Sequence, residues 1–342
     1  MKQPAKPIFI TTLIFLLPAL NPALAQTTYD NYKGSKTSFG HPDIGGFWTN
    51  VTMTKLTRPE EFGSRLVYTE QEVAEIEGRA RIEEVEAARP VDPNAPAEFR
   101  HDSSVALRPE FAAAGGATGF YDRVWLDPGS RIMRVGGEPR TAILTTPDGQ
   151  SPEPKESAQS YLSRRPGRGY DSHETRPLGE RCIIGFGRNG GPPMYANGFY
   201  NNNYQIVQTP DHVAILVEMI HDVRIVRLNS EHRTDGVRPW FGDSIGWWED
   251  NTLVVETTHI PEAQAFYGAW LHLTVTERFT RVAANRLHYR FTVEDPTIWE
   301  SSWGGEYEFS TLDGEIYEYA CHEGNYALPG ILKGARVEEE DE

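Results

Sequence analysis

Residues 271–296 read LHLTVTERFTRVAANRLHYRFTVEDP, and their alternation decides the fold class. Successive side chains of a strand point to opposite faces. Leu271, Leu273, Val275, Glu277 and Phe279 therefore share one face, and His272, Thr274, Thr276 and Arg278 share the other. Ala283-Ala284-Asn285 supplies a turn, and Leu287, Tyr289, Phe291 and Val293 form the apolar face of a returning strand. The segment is a hairpin with one buried face, and Glu277 stands on that face. An isolated carboxylate there costs several kcal/mol unless it is paired or protonated.

The pattern extends outward on both sides. Residues 245–260, IGWWEDNTLVVETTHI, turn at Glu249-Asp250-Asn251, and residues 305–321, GEYEFSTLDGEIYEYAC, are expected to turn at Asp313-Gly314. RVWLD (123–127), TAILTT (141–146), NYQIVQ (203–208), HVAILVEMI (212–220) and VRIVRL (223–228) are further strand candidates. No βαβ alternation appears, and no long repeat supports a propeller. The expected fold is mainly β: an antiparallel meander closed as a lipocalin-like β-barrel, or packed as a sandwich, with an N-terminal helical arm and a short C-terminal helix.

Residues 26–119 form the arm, with an apolar patch from Ile44 to Trp48 and a helix over about residues 69–89. Thr69 and Glu72 make a capping-box pair, and Pro90 ends the run. The helix's thin apolar stripe places it on the outside of the body. Residues 120–337 are the barrel domain, interrupted at 153–180 by a polar insertion with a short helix expected near KESAQSYLSRR. Such insertions often form loops over a site. Glu338 to Glu342 read as a solvated acidic tail.

The first 25 residues have the order of a secretory leader: Lys2 and Lys6, an apolar run from Ile8 to Leu17, then Ala23-Leu24-Ala25 as a cleavage pattern. That run is shorter than the roughly 20 apolar residues that span a bilayer. The expectation is a periplasmic or secreted protein starting near Gln26, without a membrane anchor after cleavage. Losing Lys2 and Lys6, and no acid, moves the formal charge from −16 to −18. So acidic a chain, with no basic cluster, is a poor partner for nucleic acid. Cys182 and Cys321 are its only cysteines, and in an oxidising compartment one disulfide between them is the default. Closing so long a loop stabilises by about 4–5 kcal/mol in the chain-entropy model.

Two nucleotide and nucleophile motifs fail on context. Gly185-Phe186-Gly187-Arg188-Asn189-Gly190 matches G-x-G-x-x-G, but Gly191-Pro192-Pro193 follows where the phosphate-binding helix must start. Gly242-Asp243-Ser244-Ile245-Gly246 matches G-x-S-x-G, but Trp247-Trp248 and a hairpin turn follow instead of a helix. No histidine or cysteine pair has zinc-ligand spacing, and His221, His232, His259 and His322 are scattered. Neither a metal nor a cofactor is expected.

Carboxylates on strand faces are the best hint of a polar site. Glu256 shares a face with Val254 and Thr258, opposite Val255, Thr257 and His259. Glu277 lies among apolar residues, and desolvation moves such acids toward the range suited to general acid–base work. The competing reading pairs each with an arginine such as Arg224, Arg278 or Arg290. The acid–base set is Glu256, Glu277 and His322, with Glu323 or Asp295 orienting the histidine and Tyr289 as a donor. Aromatic and polar residues suited to ligand contact are Trp247, Trp248, Trp299, Tyr204, Asn202 and His259. In residues 317–328, YEYACHEGNYAL, alternation sets Cys321 and His322 on opposite faces, which separates the thiol from the imidazole.

HPDIGGFWTN, LGERC, GWWEDNTLVVETT, TVTERFTRV, TVEDPTIW and YEYACHEGNYALPGILKGAR together resemble a widespread family of exported bacterial proteins. Its shared pattern is P-D-[IL]-x-G-x-W, then E-R-C, W-x-x-[ND]-T-L-V-V-E-T and Y-E-Y-x-C-H-E-G-N-Y. The resemblance covers most of the mature chain and implies no mechanism. It implies that Trp48, Cys182, Glu256, Asp295, Cys321, His322, Glu323 and Asn325 fall within shared motifs, with the 153–180 insertion outside them.

The expected function is an exported enzyme doing cofactor-free acid–base chemistry in a barrel pocket. A lyase, hydratase, isomerase or hydrolase acting on a small aromatic, terpenoid or sugar-like compound fits. The alternatives are a non-catalytic lipocalin-like small-molecule carrier, or a cell-envelope interaction protein.

Overall fold

The structure, a computed structural model, describes residues 29, 32–87, 127, 129–158, 169–185, 188–195 and 201–341. The leader at 1–25, most of RVWLD, and the centre of the 153–180 insertion lie outside the described residues. In chain order the strands are β1 (Gly46–Thr49), β2 (Arg134–Val135), β3 (Glu138–Pro139), β4 (Asn203–Gln208), β5 (His212–Val217) and β6 (Val223–Leu228). They continue with β7 (Asp243–Glu249), β8 (Thr252–Thr258), β9 (Thr274–Ala283), β10 (Arg286–Glu294) and β11 (Trp303–Thr311). The longer helices are α1 (Glu70–Ala87) and α2 (Ala327–Asp341).

Nine strands close a barrel in the order β1-β11-β10-β9-β8-β7-β6-β5-β4, with β4 returning to β1. Closure leaves no open sheet edge to pair with another chain. The hairpin β9–β10 forms with Phe291 opposite Glu277 and Tyr289 opposite Phe279. Val275, Glu277 and Phe279 are buried, while Thr274, Thr276 and Arg278 are not, as the alternation requires. The apolar patch read as part of the arm supplies β1, whose Trp48 lies fully buried opposite Tyr204.

Three features depart from the expected meander. The barrel is mixed, because β6 and β7 run parallel, with Val226 beside Ser244 and Leu228 beside Gly246. Residues 229–242 make the crossover that reverses the chain between them. TAILTT forms no strand, since its backbone bonds are split: Ile143 and Leu144 N–H donate to Lys55 and Leu56, while Thr145 N–H donates to Gly304 and Glu306 N–H to Ile143. The expected hairpin at Asp313-Gly314 is also absent, and residues 315–321 are not strand. Residues 143–145 and β1 already occupy the free edge of β11, so a following strand finds nothing to pair with.

The capping box of α1 forms in both directions: Thr69 Oγ1 accepts the Glu72 N–H at 3.2 Å, and Glu72 accepts the Thr69 N–H at 2.7 Å. Among the described side chains of this helix only Val73 and Ala80 are buried, so it lies on the outside. A disulfide joins Cys182 to Cys321, and Asn325 beside it donates to the Glu180 carbonyl. The acids expected as a frayed tail continue α2 through Asp341.

Gly304 is required by strand spacing. A Cβ there meets the Phe291 carbonyl oxygen at 2.0 Å, whereas one at Gly330 in α2 meets nothing within 4 Å. Gly304→Ala is expected to lower the melting temperature, costing about 1–3 kcal/mol or more. Gly330→Ala should be neutral or stabilise by up to about 1 kcal/mol. Equal melting of the two variants would contradict the β10–β11 register.

At the β5–β6 turn, Asp222 accepts the Gly185 N–H at 2.9 Å. Burial pushes its carboxyl up to about 6, against that N–H and the nearby His221. The folded state then holds a proton that the unfolded chain releases. This contribution to stability is complete below the unfolded value of 3.8 and is lost as pH rises through about 6. Asp222→Asn should therefore show a smaller loss of melting temperature between pH 5 and pH 8 than the wild type. Identical losses would mean that Asp222 titrates normally.

Candidate functional site

Inside the barrel, Glu277 is fully buried and meets Arg224 of β6 through two hydrogen bonds, at 2.5 and 3.0 Å. Burial alone lowers the Arg224 guanidinium, but the Glu277 carboxylate outweighs it and holds it above its ordinary value. Tyr289 donates to Glu277 at 2.7 Å and accepts the Met194 N–H at 2.8 Å. Burial first, and the Glu277 charge second, raise the Tyr289 hydroxyl well above its ordinary value, so it stays a proton donor. Tyr307 donates to the Met194 carbonyl at 3.0 Å, and Asn50 donates to both Tyr307 and Tyr204. Tyr204 in turn donates to the Asn189 carbonyl.

The segment 188–195 is thus threaded into the barrel and bonded there by its own backbone. Its own Met194 and the surrounding Trp48, Phe279, Phe291 and Phe309 are all buried to within 1 %. Glu277 and Tyr289 belong to this packed interior, and the arginine pairing weighed from sequence is the arrangement found.

A second polar cluster lies on the opposite face of the same sheet. Val255 and Thr257 point inward, so Glu256 points outward. The crossover 229–242 lays His232 over this face. His232 Nδ1 is 2.9 Å from Asp243 Oδ2 and Nε2 is 3.2 Å from Glu256 Oε1. His259, just past β8, has its ring centroid 6.1 Å from that of His232. Its Nδ1 is hydrogen-bonded to Thr258 Oγ1 at 2.8 Å.

Asp243 also accepts two bonds from Arg227, at 2.7 and 2.9 Å, and the Arg233 N–H at 2.9 Å. Desolvation pushes its carboxyl up, but that N–H, His232 and Arg227 together hold it below its ordinary value. The cluster joins two imidazoles to two carboxylates, at least one of them ionised. Such a set can relay protons or hold a cation.

No family model matches the chain, and no curated protein matches it either. The site therefore rests on its geometry.

The remaining sequence candidates do not come together with it. Asp295 accepts the Thr297 N–H and hydroxyl and so caps the turn after β10. His322 and Glu323 are exposed in the stretch beyond β11, near the disulfide. Trp299 is buried edge-to-face against Trp303. Asn202 is buried and accepts from Asn189, while Tyr204 belongs to the interior network. Trp248 lies near the His41 ring, and Trp247 is on the outer face, donating to Glu249.

Of the expected set, Glu256 and His259 each approach His232, the first by a hydrogen bond and the second ring to ring. His232 was visible only as one of several scattered histidines. Asp243 sat inside a dismissed G-x-S-x-G match, and Arg227 gave no signal.

The interior pair is testable separately. Glu277→Gln leaves the Arg224 charge buried without its partner and should cost about 3–5 kcal/mol, read as a lower urea midpoint. Replacing both partners, as Arg224→Met with Glu277→Leu, should recover much of that loss. A Glu277→Gln protein as stable as the wild type would rule the pairing out.

Proposed function

We propose that the protein is an exported enzyme that performs acid–base chemistry on a small molecule at the outer-face cluster of His232, Asp243, Glu256 and His259. The observation that carries this reading is the convergence of two histidines and two carboxylates from separate segments, with His232 in reach of both acids. A positioned acid or base contributes about 10²–10⁴-fold to a proton-transfer step. Glu256 and His259 are only partly buried, so a substrate can approach them while His232 and Thr258 hold their orientation. The lyase, hydratase, isomerase and hydrolase classes all use such a base–acid pairing.

A lipocalin-like carrier needs a lumen for its ligand, and the barrel's own side chains and the 188–195 segment take that space. The Cys182–Cys321 bridge favours an oxidising compartment, which supports export.

The test is a turnover screen of the purified protein against pools of small aromatic, terpenoid and sugar-like compounds, followed by Glu256→Gln and His259→Gln. Each variant should lose about 10²-fold or more in kcat/KM with little change in melting temperature. Full turnover in both would remove the reaction from this cluster. A ligand-induced thermal shift without turnover, surviving both substitutions, would favour a carrier.

A further inference from the structure

The outer-face cluster has the features of a metal centre that ligand spacing in the sequence does not suggest. One ligand atom each from His232, Asp243 and His259 all lie within 4.8 Å of one another. Two imidazoles and one carboxylate, drawn from a crossover loop, the start of β7 and the end of β8, form a ligand set used for divalent first-row transition ions.

Hydrogen bonds around the three residues are compatible with one arrangement of inward-facing ligand atoms. Glu256 and Asp243 can both only accept, and a neutral His232 has one proton to give; in the tautomer that leaves Nδ1 for a metal, that proton lies on Nε2 and goes to Glu256 at 3.2 Å. In the neutral imidazole this leaves Nδ1 with its lone pair directed at Asp243 Oδ2, 2.9 Å away. Two acceptors at that separation need a cation between them, either a second proton on His232 or a metal ion. Two ligands at roughly 2.1 Å from one tetrahedral ion stand about 3.4 Å from each other, so the observed edge needs to open by only about half an ångström to coordinate. With Thr258 Oγ1 accepting the His259 Nδ1 proton at 2.8 Å, Nε2 is the ligand atom.

Each ligand also has the outer partner that metal sites use to fix orientation. Glu256 holds His232, Thr258 holds His259, and Arg227 with the Arg233 N–H holds Asp243. Arg227 is ion-paired with Asp243, while the Arg233 guanidinium pairs with Asp235. Arg227 Nη2 donates to both Asp243 oxygens, at 2.7 and 2.9 Å, a contact that orders the carboxylate.

We infer that His232, Asp243 and His259 form a three-ligand site for a divalent transition-metal ion, with Zn2+ as the fitting probe. The inference deepens the acid–base reading of this cluster and rests on it for its catalytic meaning. A three-ligand site with open positions lowers the pKa of bound water and polarises a substrate oxygen. Glu256 then acts as the partner of His232 and not as a ligand.

The experiment loads the purified full chain with Zn2+ after chelation and dialysis, and measures stoichiometry and affinity by calorimetry. A parallel Co2+ titration is read in the visible d–d bands. One ion per chain is expected. His259→Ala and His232→Ala should each weaken affinity at least 10²-fold and abolish the Co2+ bands, and Glu256→Gln should weaken it about 10–100-fold. Circular dichroism of each variant checks that the barrel is intact. Equal Zn2+ affinity in wild type and both histidine variants, or no binding by folded wild type, overturns the metal site. Turnover that survives chelation but is lost in His259→Gln leaves the acid–base reading standing without the metal. Metal binding with full turnover in both Glu256→Gln and His259→Gln leaves the metal site standing without the acid–base reading.

Discussion

The Arg224–Glu277 ion pair sets the terms for the rest of the molecule. It joins β6 to β9, two strands that are not neighbours in the sheet, across the barrel's interior. Charges so placed need further hydrogen bonds to offset their desolvation, although Arg224 Nε has none. That requirement places Tyr289 against Glu277, and Tyr289 in turn anchors the Met194 backbone. The segment 188–195 is then part of the core and no longer a surface loop. A barrel stabilised this way has its polar chemistry committed to structure on the inside.

Reactive groups must therefore gather outside, and the parallel β6–β7 pair shows how. A hairpin between these strands would leave the outer face of β7 and β8 bare. The crossover instead carries a polar loop across that face and sets His232 between carboxylates of adjacent strands. The irregular connection supplies the histidine, and the regular sheet fixes the acids at neighbouring positions, Asp243 opposite Thr258 and Ile245 opposite Glu256. Chemistry on a loop held over a rigid scaffold is a common division of labour.

Strand content and one face of most strands were legible in the sequence, because alternation at Val275-Glu277-Phe279 and at Leu287-Tyr289-Phe291 reports burial directly. The capping box of α1 and the disulfide were legible for equally local reasons. Pairing was less so. TAILTT and residues 315–321 have strand composition, but whether a strand forms depends on a free partner edge, and closure by β1 removes it. Glu277 was recognised as an anomaly without its partner being fixed, since Arg224 is far away in sequence. The outer cluster was half seen. Glu256 and His259 attracted notice from strand position, whereas His232 lies in a loop whose path no periodicity encodes.

The short strand β1 gives the barrel a particular order in time. It lies near the beginning of the described chain, yet its neighbours are β4 and β11, and β11 comes near the end. Such contacts carry a large loop-closure cost and form slowly. The sheet from β4 to β11 can assemble from successive near neighbours, but the ring itself stays open until the last strand has arrived. Until then two edges face solvent at once, and the vulnerable species is a complete but unclosed sheet.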